Sequence, residues 1–156
     1  MRTLLVLPLV VVVTACGSGS NANAKVKADY LKQAEAICAK ANAEKKALKT
    51  PTSAAELAPY VARVVGIADE STTALKALTP PARDLADLDK HVLVPLAGQL
   101  AKGHTYAIDV AKAAAKNDQA ALIRLLGDPP NKTVADLTWM RSYGFNECVK
   151  AADTSG

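Results

Sequence analysis

Aromatic residues are scarce in this sequence, which has one Trp, four Tyr and one Phe among 156 residues. A core with so few rings offers little surface on which a planar ligand could stack. The formal net charge of +4 is too small to indicate a protein that binds nucleic acid. Runs of β-branched residues are rare after the first 13 positions, which argues against a β-sheet.

Catalytic motifs are also missing from the sequence. It contains no Gly-x-Ser-x-Gly, no Walker loop, no Cys-x-x-Cys-His and no His-Glu-x-x-His. We therefore predict that the protein is not an enzyme, that it has no catalytic residues and that it needs no cofactor. A catalytic group assembled from residues far apart in the chain is the alternative that motifs do not test.

One polar group has a spacing that could suit a metal ion. Asp84, Asp87 and His91 share one face of a predicted helix, at spacings of three and four residues. A di-metal helical bundle would also need Glu-x-x-His motifs on two helices, and the sequence has none. We therefore predict no metal site and interpret the three residues as a solvated helix start.

The first 16 residues have the layout of an export signal. Arg2 is positive, residues 4–13 are almost entirely apolar, and Thr14 and Ala15 are the small residues that a signal peptidase requires. The apolar run is far shorter than the ~20 residues of a membrane-spanning helix. The pattern predicts removal of residues 1–15 and an extracytoplasmic location.

The residue that follows the two small ones is Cys16, and Val13-Thr14-Ala15-Cys16 resembles a bacterial lipobox. The resemblance implies a thioether-linked lipid on Cys16 and an acyl chain such as palmitate on the new amino terminus. Two or three acyl chains anchor a protein firmly, whereas one chain is marginal. The alternative is an ordinary secretory signal followed by a cysteine at this position by chance.

Three cysteines are present, and the lipid prediction uses one of them. If Cys16 carries lipid, Cys38 and Cys148 can form a disulfide in an oxidising compartment. Such a bond would close a loop of roughly a hundred residues, worth ~4.7 kcal/mol in the chain-entropy account. A metal-binding or redox pair is the alternative, although there is no Cys-x-x-Cys spacing.

The rest of the chain is long enough for one domain with a real core. We predict a lipidated Cys and flexible linker over residues 16–25, because the segment is rich in Gly, Ser, Asn and Ala. A helical domain should span residues 26–152, and a polar tail residues 153–156. The 31 alanines favour helices that pack closely through small side chains.

Apolar periodicity predicts four main helical segments within that domain. The first spans residues 26–49, and the second begins at a capping box of Ser53 and Glu56. The third follows Pro80-Pro81, runs to about residue 116, and should kink at Pro95.

The fourth segment should be broken in two. It starts at residues 119–126 with Asp118 as N-cap, stops at a Gly- and Pro-rich break, and resumes near Thr133. Gly144 should be its C-cap, with Phe145 and Cys148 in a final turn. Short connections between these segments predict an all-α protein, an up-down four-helix bundle with the last helix broken.

Three motifs together resemble a group of small Ala-rich actinobacterial lipoproteins. They are Glu35-Ala36-Ile37-Cys38, Leu78-Thr79-Pro80-Pro81 and Tyr143-Gly144-Phe145-Asn146-Glu147-Cys148. The resemblance covers most of the chain after the signal. It implies a helical bundle with a disulfide between the first and last helices, and no established activity.

Two functions from different classes remain open. The first is a membrane-anchored, non-catalytic interaction or structural domain at the cell envelope, whose partner would be an envelope protein. The second is a module that binds a hydrophobic small molecule or lipid between its helices, where the kink at Pro95 would leave a gap. The sequence favours the first, because no polar residues converge on a pocket.

Two further features of the sequence bear on these alternatives. The first helix region, residues 25–49, carries seven Lys against three acidic residues, which would suit anionic headgroups or acidic wall polymers. A solvated helix face explains the same residues. Trp139, Met140 and Tyr143 could line a ligand cavity, although the same spacing is typical of core residues.

Overall fold

Helices form all the regular structure in the part of the chain that this computed structural model describes, residues 18–130 and 135–153. The elements are α1 (Ser18–Ala47), α2 (Ala54–Ala77), α3 (Leu85–Leu88), a π-helical turn (Asp89–Leu93), α4 (Val94–Ala115), α5 (Gln119–Gly127), α6 (Leu137–Tyr143) and α7 (Asn146–Asp153). The all-α prediction is confirmed. The predicted signal peptide, the lipid site at Cys16 and residues 154–156 lie outside the described residues.

The first helix is longer than predicted. It begins at Ser18, eight residues before the predicted start at Val26, and so includes residues 18–25 of the segment that the composition predicts as a linker. Once a helix is nucleated, each added residue gains a backbone hydrogen bond, and weak helix formers can be included. The i,i+4 pair of Lys25 and Asp29, 2.6 Å apart, supports this first part of α1.

The second helix starts where its capping residues predict. Ser53 is the N-cap, and its side chain accepts the backbone N–H of Glu56. The Glu56 carboxylate reaches back and accepts the N–H of Thr52 at 2.7 Å. These hydrogen bonds to Thr52 lower the pKa of Glu56. Pro59 lies inside α2, in its second turn, and therefore leaves the carbonyl of Ala55 without its usual helical N–H donor.

The third predicted helix is interrupted earlier than expected. The kink predicted at Pro95 takes the form of a π-helical turn just before it, in which the N–H of Val94 bonds to the carbonyl of Asp89. Pro95 has no N–H to offer the carbonyl of His91. That carbonyl accepts instead from the backbone N–H of Asp136, at 3.3 Å. A segment far away in the sequence thus supplies the hydrogen bond that Pro95 cannot make.

The last part of the described chain contains three short helices, α5, α6 and α7, and the predicted helix restart near Thr133 lies outside the described residues. Asp118 caps α5 and accepts the N–H of Ala121, and Asp136 caps α6. Gly144 ends α6 with φ +118°, a conformation that side chains disfavour. The prediction of a final turn at residues 145–148 is wrong, because α7 starts at Asn146 and packs along α1.

Two groups of buried residues make up the core. The disulfide cluster draws on α1, α2, α3, the π turn, α6 and α7: Tyr30, Ala34, Cys38, Leu75, Leu88, Val92, Met140, Tyr143, Phe145, Cys148 and Val149. The aliphatic cluster draws on α2, α4 and α5: Leu57, Val61, Val110, Ala113 and Leu122. α2 contributes to both clusters and packs against α1 on one side and α4 on the other.

Candidate functional site

A cavity of about 640 Å³ lies within the helical domain and contacts residues of both core clusters. Its walls come from α1, α2, the π turn and α4, and from described residues of α5, α6, α7 and the chain beside them. Pro95, Leu96 and Leu100 line it on the α4 side. Its volume falls in the range of ~300–1,000 Å³ that is typical of small-molecule sites.

The cavity follows from the way the three long helices pack. α2 lies between α1 and α4 and contacts both. Gly103 of α4 faces Val65 of α2, since a Cβ at this position would make an ordinary van der Waals contact with Val65 Cγ2 at 3.5 Å. The π turn before Pro95 then redirects the chain, and the space beside it is lined by Val92, Leu93 and Leu96.

Most of the lining is apolar, with a few polar side chains. Asn42, Lys45 and Lys46 line the cavity from the last third of α1, and Thr72 and Gln99 from α2 and α4. Lys45 is half-buried, and this burial lowers the pKa of its ammonium group. The two lysines are the only charged side chains among the described residues that line the cavity.

The polar contacts between α1 and α7 lie next to this cavity. The Glu35 carboxylate accepts the backbone N–H of Glu147 at 2.8 Å, and Asn42 Nδ2 donates to the Glu147 carbonyl at 3.0 Å. The sulfurs of Cys38 and Cys148 are at bonding distance, with their Cα atoms 4.9 Å apart. The predicted pairing of the two cysteines is thus present, between α1 and α7.

A stack of rings runs through the disulfide cluster. His91 stacks on Trp139 at 4.9 Å between ring centroids, Trp139 on Tyr143 at 4.8 Å, and Tyr143 on Phe145 at 5.3 Å. Tyr30 meets the edge of Phe145 at 6.2 Å. Four of the six Trp, Tyr and Phe side chains in the sequence therefore serve one packing arrangement.

The carboxylate and imidazole candidates for a metal site do not come together. Asp84 accepts the hydroxyl of Tyr143 at 2.7 Å, and His91 Nδ1 lies 3.2 Å from Asp136 Oδ2. Asp87 is exposed. Within residues 18–130 and 135–153, no three His, Cys, Asp or Glu side chains are grouped so as to hold a metal ion.

The hydrogen bonds of this region have electrostatic consequences. Burial, together with the bond to Asp84, raises the pKa of the Tyr143 hydroxyl well above its usual range. The N–H of Trp139 and the contact with His91 lower the pKa of Asp136. The two pKa shifts favour a neutral Tyr143 hydroxyl and an ionised Asp136 carboxylate. These are the protonation states that make the hydrogen bonds beside the ring stack.

Sequence reasoning placed some cavity residues and missed others. Pro95 lines the cavity, as the ligand-binding alternative expects, and so does Met140. Trp139 and Tyr143 belong to the ring stack instead.

Asn42 is not singled out from the sequence, and Lys45 is counted there among the lysines of the first helix region. Helical spacing could have identified both residues, since they lie four and seven residues after Cys38 and so share its side of α1.

The lysine-rich side of α1 is partly engaged with the protein itself. Lys27 Nζ lies 3.7 Å from the centroid of the Tyr143 ring, a cation–π contact. Lys40 pairs with Glu44, which also binds Arg63 of α2 at 2.6 Å. In the described ranges, none of the helices combines the length and the apolar character that crossing a membrane requires.

The chain was compared with known protein families, curated proteins and solved structures. No family model, no curated protein and no solved structure matches the chain.

Proposed function

We propose that this protein is a non-catalytic binding module that holds a hydrophobic small molecule or lipid between its helices. The observation that carries this proposal is the cavity of about 640 Å³ beside Pro95. The sequence alone favoured a plain interaction domain, because no polar residues converged on a pocket. The largely apolar walls of this cavity now favour ligand binding.

The architecture supports a ligand at this place. The cavity lies between two well-packed clusters, so its walls are held by the disulfide cluster on one side and by α2 and α4 on the other. Filling an apolar cavity removes hydrocarbon surface from water, at ~25 cal/mol per Å². A ligand of matching shape would therefore stabilise the folded protein.

The proposal extends to where the module works. We propose that Cys16 carries the lipid anchor and that the domain lies on the outer face of the cell membrane, as the lipobox predicts. The proposal includes membership of the small Ala-rich actinobacterial lipoproteins, which the bonded pair Cys38 and Cys148 supports. Neither nucleic acid nor a cofactor has a role in it.

We also propose that the helices form an up-down four-helix bundle whose last helix is broken. The packing of α1 on α2, of α2 on α4 and of α7 on α1 supports this arrangement. The broken fourth helix would consist of α5, α6 and α7. A ligand between bundle helices is a common arrangement.

A lipid panel followed by thermal unfolding tests the binding function. A ligand present at 100 times its Kd should add about 2.7 kcal/mol of stability. Leu100→Trp, which fills the cavity, should abolish the shift in melting temperature. Ile123→Trp is the control, because Ile123 is 70 % exposed on α5 and lies outside the cavity.

The alternative is a non-catalytic interaction or structural domain without a small ligand. Exposed apolar side chains on α4 and α5 favour it, among them Val94 at 67 % and Ile123 at 70 % exposed. If no compound in the panel raises the melting temperature, this alternative replaces the binding module.

The anchor has its own test. Cys16→Ser should move the protein from the membrane fraction to the soluble fraction, because the lipid chains provide the attachment. Retention of the variant in the membrane fraction would contradict the lipid anchor and leave the cavity proposal unaffected.

A further inference from the structure

We propose that the ligand is an anionic amphiphile with a hydroxyl-bearing head group, bound with its head beside Asn42, Lys45 and Lys46 and its hydrocarbon chain beside Pro95. This inference rests on the proposed binding function and names the chemistry of the ligand.

The first support is the charge of the cavity wall. Lys45 and Lys46 are its only charged side chains in the described part of the chain, and both lie in the last turn of α1. The neighbouring Glu44 is bound by Arg63 at 2.6 Å, which directs its charge toward α2. The two ammonium groups therefore give this end of the cavity a charge that is complementary to an anionic head group.

The second support is a buried hydrogen-bond acceptor. Asn42 Nδ2 donates to the Glu147 carbonyl, while Asn42 Oδ1 is buried and has no hydrogen-bond partner among the described residues. A buried acceptor without a donor costs ~1–3 kcal/mol, so it needs a partner. Asn42 lies one turn before Lys45 and Lys46, and a ligand hydroxyl there would supply the donor.

The third support is the apolar character of the other end. The cavity wall along α1 extends from Tyr30 to Lys46, about 24 Å at the helical rise of 1.5 Å per residue. Away from the lysines the wall consists of Leu75, Val92, Leu96, Met140 and Phe145. A site with a cationic end and a long apolar end fits an amphiphile better than a wholly apolar molecule.

The test compares three matched lipids on the full chain, with affinities measured below the micelle concentration of each lipid. Oleoyl lysophosphatidylglycerol has an anionic head with hydroxyls, oleoyl lysophosphatidylmethanol has the same charge without them, and oleoyl lysophosphatidylcholine is zwitterionic. We expect lysophosphatidylglycerol to bind about tenfold more tightly than lysophosphatidylcholine, the effect of one good charge-assisted contact. Lysophosphatidylmethanol should lie between them.

Matched variants locate the head group. Lys45→Gln with Lys46→Gln should reduce the difference between lysophosphatidylglycerol and lysophosphatidylcholine to about twofold or less. Lys32→Gln with Lys40→Gln removes the same charge from α1 outside the cavity and should leave the difference unchanged. Circular dichroism of both double variants checks that they remain folded.

The outcomes separate this inference from the function on which it rests. If all three lipids bind equally, and Leu100→Trp abolishes their binding, the cavity function stands and the anionic head group is refuted. If lysophosphatidylglycerol and lysophosphatidylmethanol bind equally, the hydroxyl requirement is refuted. If no lipid binds, the proposed function fails together with the inference.

Discussion

The two core clusters differ in how they hold their helices together. The disulfide cluster joins elements from opposite ends of the described chain through a covalent bond, a stack of rings and hydrogen bonds. The aliphatic cluster joins α2, α4 and α5, with Leu, Val and Ala forming its buried part. The first cluster is thus fixed by a covalent bond and several specific contacts. The second is held mainly by close packing, with one hydrogen bond from the Tyr106 hydroxyl to the Leu125 carbonyl at 3.3 Å.

This difference shows what the chemically reactive residues of the molecule do. His91, Asp84 and the stacked rings of Trp139, Tyr143 and Phe145 would attract attention as a catalytic or metal site. All of them belong to the disulfide cluster or its edge. There they contact one another. The space for a ligand lies instead where that cluster meets the plainer aliphatic one.

The largest effect should come from removing the disulfide. Cys38→Ala should lower the free energy of unfolding by about 4.7 kcal/mol, the chain-entropy value for a loop of this size, because the bond joins residues 110 positions apart. It should also expose one new thiol, that of Cys148. Thermal unfolding and thiol titration without reductant measure both effects.

The matching control is the wild-type protein with reductant. It should show a similar loss of stability and release two thiols. Equal thiol counts in wild type and variant without reductant would contradict the disulfide.

Truncating one large side chain in each cluster compares them directly. Phe145→Ala should cost about 3–5 kcal/mol and Leu122→Ala about 2–5 kcal/mol, because these side chains are only 1 % and 3 % exposed. The fluorescence of Trp139 should report the first loss at once, since its ring belongs to the stack. Chemical unfolding followed by circular dichroism measures both losses.

The comparison of Phe145→Ala with Leu122→Ala assumes that the two clusters unfold together as one cooperative unit. It would fail if they unfolded separately. In that case Leu122→Ala would shift the circular dichroism transition and leave the Trp139 transition where it is in the wild type. Ile123→Ala, at the neighbouring exposed position, is the surface control and should change little.

The hydrogen bond between Tyr143 and Asp84 should contribute about 1–2 kcal/mol, since Asp84 is only half-buried and water can replace part of the bond. Its loss in Tyr143→Phe should be visible in the free energy of unfolding at neutral pH. Asp84→Asn tests the other partner, because it removes the charge and keeps an acceptor.

The pH dependence of the same pair has a definite sign. The folded pKa of Tyr143 is raised above its unfolded value of ~10, so its contribution is fully present below that pH and is lost as the pH rises further. Wild-type stability should therefore fall above about pH 10 more steeply than that of Tyr143→Phe. Parallel curves for the two proteins would contradict this role.

The smallest effects should come from the helix caps, one in each region. Asp118→Ala should cost about 1 kcal/mol, the usual value of an N-cap, since it removes one cap bond from α5. Asp136→Ala should cost more, because Asp136 also contacts His91. Equal losses for the two variants would show that the contact with His91 adds nothing.

Local signals in the sequence predicted local structure well. Ser53 with Glu56, Asp118 and Gly144 each mark a helix end because their side chains or backbone freedom satisfy bonds within a few residues. The pair Cys38 and Cys148 follows from counting cysteines. These inferences need no knowledge of how the helices pack.

Contacts between distant segments could not be predicted in this way. The π turn depends on Asp136, which lies 45 residues after His91, and α7 is stabilised by Glu35 and Asn42 across 112 and 105 residues. The helical start at Ser18 likewise goes against the composition of the segment. In each case the position is set by tertiary contacts or by helix propagation, and local propensity is a weak guide.

The pairing of α1 with α7 also fixes an order of events as the chain is made. α7 follows all the other described helices in the sequence, so the side of α1 that carries Ala34 and Cys38 lacks its final partner until nearly the whole domain has been synthesised. Contacts of such large sequence separation slow folding, because the intervening chain must first be closed into a loop. α1 is the first of the described helices to be synthesised and the last to be fully packed. Until α7 is synthesised, the Cys38 thiol can react with thiols other than that of Cys148.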